Sequence, residues 1–386
     1  MFTELTEQDI QDYRIGSAIL ACGQSEDDMF GESTMVRTIF DENLKVRLIS
    51  PAEIPDDKLI SEVQIQGGGG VPEEVQKRLI PYFKALEGED WGTLFRDSMR
   101  KAVREMPEFT GKESFGYVAT CTSPVQGIVA MYAAALDGKV CVDGDCCGRA
   151  RPGSNVSLTA VAGISHTPLA VVNLFGETVI IKRALDADRA TDIRKFVHIV
   201  SGGKVTIVAT HPVNVQDYRR AIVPNNISRC MKIGKAIRKA REEKKDPIEA
   251  FVKTSGAFKL FEGTVKSYKR EEILGYVYGE WVIDGTDDFA GHSFKVWHKN
   301  ENMISWLDDQ PYVTCPDSIC IVDSKNCKGF THFGKVPDYA GKEAIVFGLA
   351  AHKLWRTKKG IETWNPKRYG FDLDYTPIEE VLCESM

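Results

Sequence analysis

ESFGYVATCTSPVQGIVAMYAAALDGKVCVDGDCCGRARPG, residues 113–153, is the stretch whose reading decides the fold. ESFGYVAT has the apolar pattern of a strand, SPVQGIVAMYAAAL opens on a serine and a proline as helices do, and GKVCVDGD returns as a second apolar strand. Ala130, Ala133, Ala134 and Ala135 suit a helix laid closely on a sheet, and Asp137-Gly138 closes it. Strand, helix, strand at this spacing is the unit of a parallel sheet.

Ligands bind at the carboxyl ends of the strands in such sheets. At that position stand Asp143, Asp145, Cys146, Cys147, Gly148, Arg149 and Arg151. The residues alone leave open a substrate-binding or catalytic loop, a metal site, a redox pair, an anion cradle and a tight polar turn. Asp143 and Asp145 flank one glycine and are spaced to share a cation or a proton, with Arg149 and Arg151 as counter-charges. Adjacent Cys146 and Cys147 do not match the spacing of zinc ligands.

Upstream, Thr6-Glu7-Gln8-Asp9 has the form of a capping box ahead of a first helix. SEVQIQ, residues 61–66, alternates Val63 and Ile65 with Glu62, Gln64 and Gln66, then runs into Gly67, Gly68, Gly69 and Gly70 and a helix beginning at Pro72. A strand, a glycine loop and a helix can cradle an anion on free backbone N–H groups, so these four glycines join the candidate substrate contacts beside the plainer reading of a tight connection. Downstream, PLAVVNLFGETVIIKRA reads as a hairpin around Phe175-Gly176, ISRCMKIGKAIRKAREEKKDP as a long amphipathic helix, and the remainder as short apolar runs between glycines. The fold class expected is α/β: a layered domain with a largely parallel sheet over residues 1–171, and a β-rich domain over residues 172–386.

Length fits two domains, since the chain has 386 residues. The formal charge is −6, with lysines and arginines scattered among carboxylates. That is unlike a phosphate-backbone binder, so no nucleic acid partner is expected. No apolar run reaches the roughly 18 residues of a spanning helix, and the acidic start MFTELTEQDIQDY is not a secretory signal. No membrane partner and a cytoplasmic location are therefore expected, with the ten cysteines mostly reduced.

Among the histidines, His166 lies nearest the strand-end loops and is the candidate acid, base or ligand. His198 reads as core, and His292 and His298 share a face if their strand is unbroken. Asn300, Glu301 and Asn302 interrupt the β-rich half with amides and a carboxylate, able to grip a polar ring or to form a hairpin turn. Cys22 and Cys121, both beside loops, are candidate nucleophiles against the plainer reading of buried thiols, and a cysteine enzyme would use Cys121 or Cys147.

VDGDCCGRARPG, KNENMIS, CPDSICIVDS and LWRTKKGIETWNPKRYGFDLDYTPIEEV together resemble the bacterial and fungal family named for S-methyl thiohydantoin desulfurase, found beside or fused to hydantoinase and oxoprolinase subunits. IPDDKLISEV and ISRCMKIGKAIRKAREEKKDPIEAF extend the resemblance over nearly the whole chain. It implies a two-domain protein acting on a hydantoin-like ring: water attacks the carbon that bears an S-methyl group, and methanethiol leaves. Asp143, Asp145, Gly148 and Arg149 match one family motif, and Asn300, Glu301 and Asn302 another. Three loops depart from the pattern: the first keeps only Gly23 and Gly31, Thr120-Cys121-Thr122-Ser123-Pro124 replaces an acidic residue with paired glycines, and Gly67–Gly70 replaces a different sequence.

The function expected is hydrolysis of a small thiohydantoin-like or cyclic amide substrate. Asp143 or Asp145 is the expected base or metal ligand, Arg149 and the Gly67–Gly70 backbone the anion stabilisers, and Glu301, Asn300 and Asn302 the ring contacts. A divalent zinc or manganese ion fits this chemistry without being required by it. The alternative is a non-catalytic accessory subunit of a hydantoinase or oxoprolinase, and assembly as a homo-oligomer is expected.

Overall fold

A computed structural model describes residues 2–27, 32–334 and 336–384, so Gly31 lies outside the described residues. Thr6 and Asp9 form the expected reciprocal cap on the helix Glu7–Leu20. The strand, helix and strand of the opening stretch are Gly116–Ala119, Pro124–Leu136 and Val140–Asp145. Ser123 caps the helix through the N–H of Gln126, and Ile128 through Ala135 are all buried, as the small side chains require.

The first sheet runs in the order Phe2–Glu4, Arg47–Ile49, Val140–Asp145, Gly116–Ala119, Leu59–Gln66, Thr206–Thr210, Leu169–Asn173, Thr178–Ile181. Its centre, from Arg47–Ile49 to Leu59–Gln66, is parallel. Antiparallel strands extend it on both sides, so the sheet as a whole is mixed. The hairpin expected around Phe175-Gly176 joins Leu169–Asn173 to Thr178–Ile181 within this sheet. The expected boundary at residue 171 thus runs through a paired strand, because a hairpin keeps its second strand beside its first.

The second sheet has seven antiparallel strands, ordered Gln310–Thr314, Glu301–Leu307, Ser293–Lys299, Tyr276–Gly285, Phe258–Ile273, Glu343–Leu349, Ser318–Asp323. Phe261, Trp281, Phe294, Val296 and Ile321 fill its interior. An α/β half and a β-rich half are therefore both present. Among the described residues no helix is long and apolar enough to cross a membrane.

The long basic helix, Asn226–Glu242, crosses Glu7–Leu20 at two glycines. A Cβ on Gly16 would stand 2.1 Å from the Cys230 carbonyl oxygen, and one on Gly234 would stand 1.8 Å from that of Asp12. Arg238 clamps the crossing by donating from Nε and Nη2 to the two oxygens of buried Asp12, at 2.6 and 3.0 Å. Helix propensity alone would make Gly234→Ala stabilising by up to about 1 kcal/mol. Backbone overlap reverses the sign, and both Gly16→Ala and Gly234→Ala are expected to cost about 1–3 kcal/mol in urea titration, with exposed Lys235→Ala within about 0.5 kcal/mol of the parent.

Candidate functional site

Val63 and Ile65 of the strand Leu59–Gln66 enter the hydrophobic core, as their alternation requires. The opposite face does not meet open solvent: Glu62, Gln64 and Gln66 are buried as well. Gln64 and Gln66 line a cavity of about 680 Å³ at the carboxyl end of the parallel strands, closed from the other side by the second sheet. That volume suits a small-molecule ligand. Arg151, Arg194, Lys195 and Glu301 also line it.

These charged groups are enclosed, which sets their chemistry. Burial raises the Glu301 carboxyl to about 8, against the opposing pull of Arg149, and the nearby Cys22 raises it further. Its Oε2 is buried without a hydrogen-bond partner. Burial, seconded by the Arg194 charge, brings the Lys195 ammonium down to about 7. Lys195 Nζ donates to the Gly275 carbonyl at 2.7 Å and lies 4.5 Å from the centre of the Tyr276 ring. Arg194 is 4% exposed, yet its Nε and Nη1 have no partner. An enclosed cation with idle donors beside a cavity is a ready anion contact.

The strand-end motif is placed differently. Asp145 Oδ1 accepts from the N–H groups of Cys147 and Gly148 at 2.9 and 2.6 Å, and Oδ2 accepts from Thr122 and Asn226 at 2.8 and 2.6 Å. Asp143 accepts from the backbone and side chain of Ser228. Burial raises both carboxyls. Neither aspartate lines the cavity, and neither pairs with Arg149 or Arg151. Gly148, at φ 90, turns the chain away from the aspartates. Arg149 therefore reaches across to the carbonyls of Asn302 and Asp317, at 2.6 and 2.5 Å, while Arg151 faces Glu62 at 3.7 Å and bonds Thr120. The expected Arg-aspartate counter-charges are corrected accordingly: the partner of Arg151 is Glu62.

Of the glycines, Gly67, Gly68 and Gly69 line the cavity. The loop also touches the second half of the chain: Gly69 accepts from the Gly275 N–H at 2.8 Å, and a Cβ on Gly68 would stand 2.5 Å from the Gly275 oxygen. Gly70 packs on the backbone of Glu272 and Leu274. Asn300 lines the cavity but is also the turn residue, at φ 62, exchanging hydrogen bonds with the backbone of Val277. Asn302 is turned inward, donating to the Ile319 carbonyl at 2.9 Å and accepting from His332 Nε2 at 3.0 Å.

His166 Nε2 lies 2.9 Å from Thr159 Oγ1, behind Arg151, and burial with the neighbouring Arg151 charge brings it down to about 3. The ring is neutral at physiological pH. His292 sits outside the strand Ser293–Lys299, exposed and paired with Asp308, so it does not share the buried face of His298. Cys121 lines the cavity and Cys147 does not, and burial pushes both thiols up, Cys147 to about 12. Among the described residues, no group of three or more His, Cys, Asp or Glu side chains is placed to hold a metal ion.

Arg194, Lys195 and the amides of Gln64, Gln66 and Gln126 are functional candidates that the sequence reading passed over. Gln64 and Gln66 left a signal, since with Glu62 they make three polar residues on one face of a strand ending in glycine, whereas Gln126, in the helix Pro124–Leu136, left none. The dipeptide Arg194-Lys195 left none, because two cations in an amphipathic helix read as a solvated face.

Models described as "S-Me-THD-like, N-terminal domain" and "S-Me-THD-like, C-terminal domain" match residues 8–183 and 188–378. No curated protein matches the chain. A crystal structure of a protein from Chromobacterium violaceum shares the fold, with a TM-score of 0.75 and 19% sequence identity over 97% of this chain and 100% of that one. With both matched regions present in order, the chain belongs to the S-Me-THD-like family.

Proposed function

We propose that this protein is a hydrolase of a small thiohydantoin-like ring, with Glu301, Lys195 and Arg194 as its working groups. The observation that carries the reading is the shared cavity: a carboxyl raised to about 8, an amine lowered to about 7 and a guanidinium with idle donors all border one cleft. The family's name adds the reaction type.

Near neutral pH the neutral Lys195 amine takes a proton from water as the water oxygen bonds to the ring carbon bearing sulfur. Arg194 holds the negative charge that develops on the ring. The C–S bond then breaks with its electron pair on sulfur, and the Glu301 carboxyl supplies the proton with which methanethiol departs. The proton held by Lys195 returns to Glu301, so that substrate and water become hydantoin and thiol. Gln66 Oε1, buried without a partner, offers an acceptor for the ring edge, and the Gln64 amide borders the same wall. Asp143, Asp145 and Asn302 position the turn and strand on which these groups stand.

The test is incubation of the purified chain with an S-methyl thiohydantoin and detection of released methanethiol by a thiol-reactive chromogen. Turnover by the chain alone distinguishes a hydrolase from an accessory subunit. The rate rises with pH through about 7 as Lys195 loses its proton, and falls through about 8 as Glu301 loses its own. Glu301→Gln is expected to lower kcat by about 10²–10⁴ and to abolish the alkaline limb. Arg194→Gln is expected to lower kcat by about 10²–10³ and to move the acid limb to higher pH, because the Arg194 charge helps hold Lys195 down, with the alkaline limb kept. Wild-type activity in Glu301→Gln would remove the assignment.

A further inference from the structure

Nine of the ten cysteines are buried, and two of them meet. Cys22 follows the helix Glu7–Leu20, and Cys320 lies in the second-sheet strand Ser318–Asp323. Their sulfurs are 3.6 Å apart although 298 positions separate them in the chain. The backbone around Cys22 is fixed from the second half: its carbonyl accepts from the Asn302 N–H at 2.8 Å, and the Gly23 carbonyl accepts from the His332 N–H at 3.0 Å. Cys22 itself adopts φ 60, a left-handed conformation that a non-glycine residue holds only when its surroundings impose it.

Charge at this junction is uneven. The buried Arg149 guanidinium donates to carbonyl oxygens and has no carboxylate partner among the described residues. An enclosed cation favours an anion nearby. Burial alone would raise the Cys22 thiol, but the hydrogen bond with Cys320 and the Arg149 charge outweigh it and draw it down, while Cys320 is held up. Of the two sulfurs, that of Cys22 is thus the readier to lose its proton.

We propose that Cys22 and Cys320 form a reversible disulfide that ties the helical layer of the first half to the second sheet. A bonded pair lies at about 2.05 Å, so the sulfurs have about 1.6 Å to close from 3.6 Å. With hydrogen peroxide as oxidant, Cys22 gives up its proton and its sulfur attacks one peroxide oxygen, the O–O bond breaks, and the leaving hydroxide takes that proton and departs as water, leaving a sulfenic acid. The Cys320 sulfur attacks the sulfur of that acid, and hydroxide departs with the Cys320 proton as water. Two thiols and one peroxide become one disulfide and two waters, the sulfurs losing two electrons and the peroxide gaining them. Cys121, Cys141, Cys146 and Cys147 stay protonated because burial pushes their thiols up.

The full-length protein treated with hydrogen peroxide, then denatured, alkylated and digested without reductant, tests this by mass spectrometry. The expected product is one peptide carrying Cys22 joined to one carrying Cys320, lighter by two hydrogens than the sum of the two. It is reversed by dithiothreitol and absent from Cys22→Ser and Cys320→Ser. The oxidised wild type should melt at a higher temperature than the reduced protein, a shift that both variants lose. Should Cys22→Ser fail to fold, Cys320→Ala serves as the control. Recovery of Cys22 and Cys320 as separately alkylated peptides, under peroxide that has oxidised the exposed Cys383, would overturn the proposal. Joining of either residue to a different cysteine would overturn it equally.

Discussion

Arg149 leaves the turn after the strand Val140–Asp145 and spends its hydrogen bonds on carbonyl oxygens of the second half, those of Asn302 and Asp317, with the Trp364 ring 5.1 Å from its carbon. Among the described residues no carboxylate pairs with that charge, and its Nε donates to the Ala150 carbonyl. Losing the surroundings of a buried cation costs several kcal/mol, so the two halves are held in one arrangement by a group that has nowhere else to go. Asn302 adjoins Glu301, and the same contact therefore places the carboxyl that faces the cavity. The Arg149 charge also restrains how far burial raises that carboxyl. Asp317 continues the chain of dependence, since its carboxylate accepts from the N–H groups of Ala351 and Ile378 and so pins the carboxyl-terminal segment.

The polar stretch DGDCCGRARPG is thus a tight turn that organises its surroundings. Asp145 gathers four donors from the turn itself, the loop at Thr122 and the helix at Asn226. Beyond Gly148 the same stretch supplies Arg149 to the junction and Arg151 to the cavity wall.

Much of the architecture was legible because it rests on local pattern. The helix from Pro124 announces itself by its cap and small residues, the hairpin at Phe175-Gly176 by its turn, and the β-rich half by its alternation. The cavity wall was legible only in part. Glu301 and Gly67–Gly69, expected as ligand contacts, do border it, and a carboxylate between amides and a run of glycines are the signals that singled them out. Asp143 and Asp145, expected beside them, do not border it, since carboxylates that cap a turn and carboxylates that face a cavity have the same residue type. What separates them is where Arg149 points, and Gly148 decides that through a backbone angle the letters do not carry. Lys195 was invisible for a related reason: its lowered pKa comes first from burial, which the letters do not carry, and only second from the charge of the adjoining Arg194.

The strand Leu59–Gln66 divides its labour by parity. Val63 and Ile65 anchor the core, while Gln64 and Gln66, standing about 6.6 Å apart along one face, border the cavity. Replacing either glutamine changes the cavity wall and with it a buried hydrogen bond, from Gln64 to Ser154 or from Gln66 to the Arg194 carbonyl. A substitution that reshapes the wall must therefore also supply a new partner to the segment it abandons, which couples variation in the cavity to the cohesion of the loops around it.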